Sequence, residues 1–231
     1  MEKLPKIILT ADASGAQKAA QQGMLVMIID IIDMSTTLES AIDAGAFAVF
    51  GASPDYTRAP VEVAPEKVGQ EAGRLAKTNG LNIIIIAEPR VGSDDERLAR
   101  CQKVIKGIES EKAVIERVLP NIGAEVYKMC DFKDRVVVAV SDTGGVAYDA
   151  AFLFTRQVLT GTVARSMSKK GIEPALSAAR RVWQNYKKTD TGIAVVAASS
   201  NSQEDVLAAQ FIYDLLITQI KENKCIEGGI I

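Results

Sequence analysis

Residues 24–41 read MLVMIIDIIDMSTTLESA, and the change of character along this stretch decides the fold. Leu25 to Ile31 is apolar apart from Asp30 and rich in β-branched side chains, so it reads as a buried strand. From Ser35 onward the pattern turns to hydroxyls and then to helix formers, with Thr36 and Glu39 spaced as a T-x-x-E capping box. A continuously apolar strand that runs into a helix belongs to a sheet covered on both faces. A carboxylate in such a strand tolerates burial only if it is hydrogen-bonded, paired or metal-bound, which makes Asp30 the first candidate functional residue.

The same alternation extends in both directions. The runs at 6–10, 25–31, 47–50, 82–87, 135–140 and 192–198 read as strands, and 64–79, 95–118, 171–187 and 203–222 as helices. This predicts an α/β protein of three layers, α/β/α, around a mainly parallel or mixed sheet. No Pro-, Gly- or Ser-rich linker divides residues 1–231, so one compact domain is expected. LPNIGAE at 119–125 is the best place for two similar halves to meet. A weak internal echo pairs IILTADASGA at 7–16 with VVVAVSDTGGVA at 136–147: strand, aspartate, small residues, helix.

Composition narrows the chemistry. The 231 residues are 48% hydrophobic and 24% charged, with a net charge of −2, which is ordinary globular usage without the basic footprint of nucleic-acid binding. The longest apolar stretch is about half of the roughly 20 residues a membrane helix needs, so no membrane association is expected. The N-terminal apolar run is too short for a signal-peptide core. Cys101, Cys130 and Cys225 are scattered, which suits a reducing cytoplasm and gives no thiolate metal site. There is no histidine, so imidazole bases, nucleophiles and ligands are excluded and acid–base work falls to carboxylates, Lys, Tyr or Cys.

Ligands of open α/β sheets bind where strands end at the carboxyl edge, and four strand exits carry suitable chemistry. The first is Asp30 to Thr37, where Ser35, Thr36 and Thr37 open a helix N-terminus that could hold an anion or could simply cap the helix. The second is AEPRVGS, with Glu88, Arg90 and a cap at Ser93; arginine is the usual partner of a phosphate oxygen pair. The third is SDTGG, where Thr143, Gly144 and Gly145 allow a close backbone approach. The fourth is SSNSQED, where Glu204 and Asp205 sit in the first turn of a helix with Ser202 as a second capping-box candidate. If Asp30, Glu204 and Asp205 meet, a hard divalent cation such as Mg2+ is the natural way to neutralise them.

These residues carry a resemblance. IIDIIDMSTTLESAIDAGA resembles the opening motif of the 2-phosphosulfolactate phosphatase family, in which a strand ends in D-V-x-R-A-[ST]-T. NSQEDVLAAQFIYDLL is similar to its late S-x-E-D-V-x-x-A-G segment. IIIIAEPRVG loosely resembles its G-E-R-x-G turn, and RVVVAVSDTGG stands where the family has T-T-N-G-T. The likeness spans about residues 24–216. It implies Mg2+-dependent hydrolysis of a small acidic phosphate monoester. On that reading Asp30 is nucleophile or metal ligand, Glu204 and Asp205 hold the metal, and Thr36 and Thr37 contact phosphate. Glu88 is then the acid–base group and Arg90 the transition-state clamp.

The departures are specific. Asp33 replaces the family arginine, which weakens phosphate binding or recruits a second cation, and Asp142 to Gly145 replace the T-N-G-T turn. Aspartyl phosphatases with a D-x-D strand end fit less well, because Asp30 and Asp33 are three apart and do not share a strand face. The alternative from another class is a non-catalytic descendant that binds a metabolite, a metal or a partner protein. The size is compatible with a homodimer; the apolar stripe of Phe211, Ile212, Leu215, Leu216 and Ile220 reads as internal packing first and as a dimer face second.

Overall fold

The computed structural model describes residues 5–227. Eight strands, β1 (Lys6–Ala11), β2 (Leu25–Ile29), β3 (Ala48–Ala52), β4 (Asn82–Ala87), β5 (Ile115–Pro120), β6 (Arg135–Val140), β7 (Val158–Gly161) and β8 (Gly192–Ala197), alternate with helices. The helices are α1 (Asp12–Gln21), α2 (Met34–Asp43), α3 (Pro65–Asn79), α4 (Asp94–Ala99), α5 (Gln102–Ser110), α6 (Gly144–Phe152), α7 (Glu173–Asn185) and α8 (Gln203–Glu227), with a 3-10 turn at Gly123–Lys128. All strand pairs are parallel. They form two four-stranded sheets, β1-β8-β2-β7 and β3-β6-β4-β5.

Each sheet repeats one plan: its first strand in the chain lies at one edge, its second and third lie together at the other, and its last is inserted between the first two. The second sheet is nested in the chain between β2 and β7. Residues 119–125 therefore lie inside it, at the end of β5 and the start of the 3-10 turn, and the chain passes between sheets at 30–47 and 141–157. The echoed segments are β1–α1 and β6–α6, whose helices pack against each other.

Both sheets are covered on both faces, as their unbroken apolar runs require. Leu25, Met27 and Ile29 of β2 pack with Ile193 and Val195 of β8 against Ala178, Val182, Ala209, Ile212 and Leu216 of α7 and α8. Val26, Ile28, Ala194 and Val196 alternate to the opposite face and enter the larger core shared with the second sheet. α1, α2 and α6 fill the space between the sheets: α2 touches β7 as well as β3 and β6, and α6 touches β2 as well as β3. α3 and α5 cover the second sheet, in mutual contact at Gly69, Gly73 and Gly107, where an added Cβ would press on the backbone of the facing helix. The α/β/α arrangement thus occurs twice around a common middle layer.

The helix expected over 95–118 is corrected. It divides into α4 and α5, and residues 115–120 form β5. β5 and β7 are both edge strands, and β5 exposes Glu116 and Arg117, so neither carries the apolar run that marks the inner strands.

Candidate functional site

Asp30, one residue beyond β2, is 2% exposed and every described contact explains how it is tolerated there. Its Oδ2 accepts from Gly144 N at 2.8 Å and Thr143 Oγ1 at 3.1 Å, and its Oδ1 accepts from Asp33 N at 3.0 Å. The carboxylate therefore lies against the N-termini of α6 and α2 together, where free amides and helix dipoles both favour an anion. It also joins the carboxyl edges of the two sheets, since α6 follows β6 of one and Asp30 follows β2 of the other.

The hydroxyls after Asp30 serve the protein's own framework. Ser35 Oγ donates to Ile28 O at 2.9 Å and accepts from Asp30 N at 3.1 Å. Thr36 Oγ1 donates to Ile31 O at 2.6 Å and contacts Thr162 Oγ1, while Thr37 Oγ1 donates to Asn121 Oδ1 at 2.5 Å. The capping box expected from Thr36 and Glu39 does not form, because α2 begins at Met34 and both residues are buried inside it. Glu39 is held by Arg181 of α7 at both carboxylate oxygens and by Thr160 Oγ1 of β7 at 2.7 Å. Gly145 N is likewise taken, donating to Ser141 Oγ at 2.9 Å. Ser93 forms the expected cap, with a full box to Glu96.

Beside Asp30 a cleft of about 250 Å³ opens between the exits of β2, β6 and β8, lined by Asp30, Ile32, Asp33, Thr143, Ser199, Asn201, Ser202 and Asp205. Asp205 is 3% exposed and accepts from Ile31 N at 2.8 Å, while its own N–H donates to Ser202 Oγ at 3.2 Å. So only half of that capping box forms: the carboxylate takes the Ile31 amide beyond β2, and the Ser202 backbone N–H donates to Ser199 O instead. From the β4 side come Glu88, whose Oε1 is buried without a hydrogen-bond partner, and Arg90, whose Nε donates to Asn121 O at 3.0 Å.

The structure therefore brings Asp30, Asp205 and Thr143 together and adds Asp33 to them. It does not bring Glu204 to them. Glu204 lines a separate apolar groove with Ile31, Val163, Leu207, Ala208 and Phe211, where the first turn of α8 faces outward. Among the described residues no three His, Cys, Asp or Glu side chains are grouped as a ready ligand set. The neutral oxygens of Ser199, Asn201 and Ser202 were visible in sequence only as a polar loop.

Electrostatically the cleft is strained toward the neutral or cation-bound state. Asp33 is raised from 3.8 to about 6 by burial first and by the charges of Asp30 and Glu88, against a lowering by Arg90. Asp205 is raised from 3.8 to about 6 by burial first and by Asp30, against the Ile31 amide. A carboxyl raised on folding stabilises the fold below its unfolded value and loses that contribution as pH rises through the folded one, here from about 4 to about 6. We expect Asp33→Asn, which carries no charge at any of these values, to gain in Tm relative to the parent as metal-free samples are taken from pH 4 to pH 7. A Tm difference that does not change over that interval would contradict the stated environment.

No protein-family model and no curated protein matches the chain. Among the described residues no helix is long and apolar enough to cross a membrane.

Proposed function

We propose that this cleft is a Mg2+-assisted site for a small phosphorylated acid, and that the chain hydrolyses a phosphate monoester there. The observation that carries the reading is that Asp33 and Asp205 line one cleft on either side of Asp30. They come from different elements, line one cleft, and each has its carboxyl pushed up to about 6 by burial and by neighbouring acids. Together with the unpartnered Glu88 oxygen, this is the donor chemistry that a hard cation relieves: two carboxylates and several neutral oxygens, the rest of the shell being left to water. The resemblance to the 2-phosphosulfolactate phosphatase motifs supports the same assignment.

Within that reading Asp33 and Asp205 hold the cation, with Thr143, Ser199, Asn201 and Ser202 as neutral partners. Bound there, Mg2+ supplies charge neutralisation of the phosphate. Asp30 acts as a positioning residue, because its oxygens already fix Thr143, Gly144 and the start of α2. Glu88 takes the proton of the attacking water and passes it to solvent, and the leaving alkoxide, which departs on the opposite side of phosphorus, takes its proton from solvent, so the protons balance. Arg90 provides the positive charge that Asp33 removes from the family pattern.

A second reading, a non-catalytic protein that binds a metal, metabolite or partner protein, is favoured by one group of contacts. Asp30, Ser35, Thr36, Thr37 and Gly144 are all engaged within the chain rather than free for a phosphate. A panel of phosphate monoesters assayed across a Mg2+ titration separates the two. The enzyme reading expects metal-dependent phosphate release that falls about a hundredfold or more in Glu88→Gln. Saturable Mg2+ binding with no release from any ester would leave the non-catalytic reading.

A further inference from the structure

Arg97 is 5% exposed and is the only buried lysine or arginine among the described residues. A cation is buried to that depth only where its donors are matched. Its Nε donates to Pro89 O at 3.0 Å, its Nη2 to Gly92 O at 3.0 Å and to Arg90 O at 3.3 Å, and its Nη1 to Asp94 Oδ1 at 2.8 Å. Three carbonyls of a four-residue turn are thus gathered on one planar guanidinium. The helix that presents it, α4, is itself closed by the Ser93–Glu96 capping box.

That turn carries Glu88 and Arg90 on the β4 exit. Arg90 in turn reaches Asn121 O at 3.0 Å and Ile32 O at 3.5 Å, which ties the turn to the exits of β5 and β2. We propose that Arg97 is a positioning residue that fixes the 88–92 turn so that Glu88 and Arg90 are presented toward Asp33 and the cleft. The roles of Glu88 and Arg90 rest on the hydrolase reading above, whereas the ordering of the turn does not. Lysine cannot substitute, because one ammonium is a point donor and cannot span acceptors arranged around a planar fork.

The test compares the parent with Arg97→Lys and Arg97→Ala by amide hydrogen exchange and by steady-state kinetics. The proposal expects exchange at Ser93 and Glu96, whose N–H groups close the cap at the end of the turn, to accelerate about tenfold or more in both variants, while Ile83–Ile86 and Val136–Val138 keep their protection. It expects kcat to fall about a hundredfold with KM nearly unchanged, the signature of displaced reacting groups. Millimolar guanidinium should restore part of the activity of Arg97→Ala, and methylammonium should not. Unchanged exchange at Ser93 and Glu96, or loss of protection throughout the chain, overturns the proposal. If the parent hydrolyses no ester, the hydrolase reading fails by itself and the exchange pattern alone decides whether Arg97 orders the turn.

Discussion

Asp30→Ala should lose about 3–5 kcal/mol of folding stability, the cost of breaking a buried charge out of its hydrogen bonds. The substitution leaves Gly144 N, Thr143 Oγ1 and Asp33 N without their acceptor and removes an anion from two helix N-termini. It also opens the joint between the two sheets, because no other side chain reaches the start of α6 from the β2 exit in the described hydrogen bonds. Urea unfolding should show a lower midpoint with an unchanged slope. A loss below about 1 kcal/mol would mean that water replaces the carboxylate without difficulty, and the structural role given to Asp30 would be wrong. The result bears on function as well: loss of activity on changing Asp30 reports first on the fold, so Asp205 and Glu88 are the cleaner probes of chemistry.

Arg181→Ala should be comparably damaging, at about 3–5 kcal/mol, because Glu39 would stay buried and charged with only Thr160 to satisfy it. Arg181 meets Glu39 at both oxygens, and the pair bolts the middle helical layer to α7 past the edge strand β7. The double variant Glu39→Leu with Arg181→Met should recover most of the loss, since an apolar pair of similar volume removes both desolvation costs. Chemical unfolding of the three proteins checks this. A double variant as unstable as the single one would show that the contact contributes more than the repair of a buried charge.

These two carboxylates mark the limit of what the sequence discloses. The inner strands β2, β4, β6 and β8 were legible because strands buried on both faces must be apolar throughout, and the edge strands β1 and β3 because each still carries a short apolar run. β5 and β7 were not, because Glu116 and Arg117 interrupt the apolar run of β5 and β7 is only four residues long. Asp30 could be picked out as anomalous, but two of the three donors to its carboxylate lie 113 and 114 residues away, beyond the reach of any local pattern. Glu39 was misread for the same reason: three residues after a threonine it fits a local cap, and only α7, 142 residues on, reveals the competing partner. Arg97 gave little signal, since three of its four acceptors are backbone carbonyls that any sequence would offer and the fourth, Asp94, reads as an ordinary i,i+3 surface pair. The carboxyl-edge rule did locate the cleft, because it depends on topology rather than on side-chain detail.

The central claim is that a divalent cation binds between the exits of β2 and β8, and paramagnetic broadening tests it most directly. Mn2+ shares the oxygen preference of Mg2+, and traces of it added to 15N-labelled protein bleach amides near the bound ion first. The account predicts early loss of the Asp33, Thr143, Asn201 and Asp205 signals, reversal by excess Mg2+, and no such loss in the Asp33→Asn, Asp205→Asn double variant. Uniform weak broadening, or early loss confined to acidic residues of the outer helices such as Glu109, would contradict it and remove the cleft from consideration as a metal site.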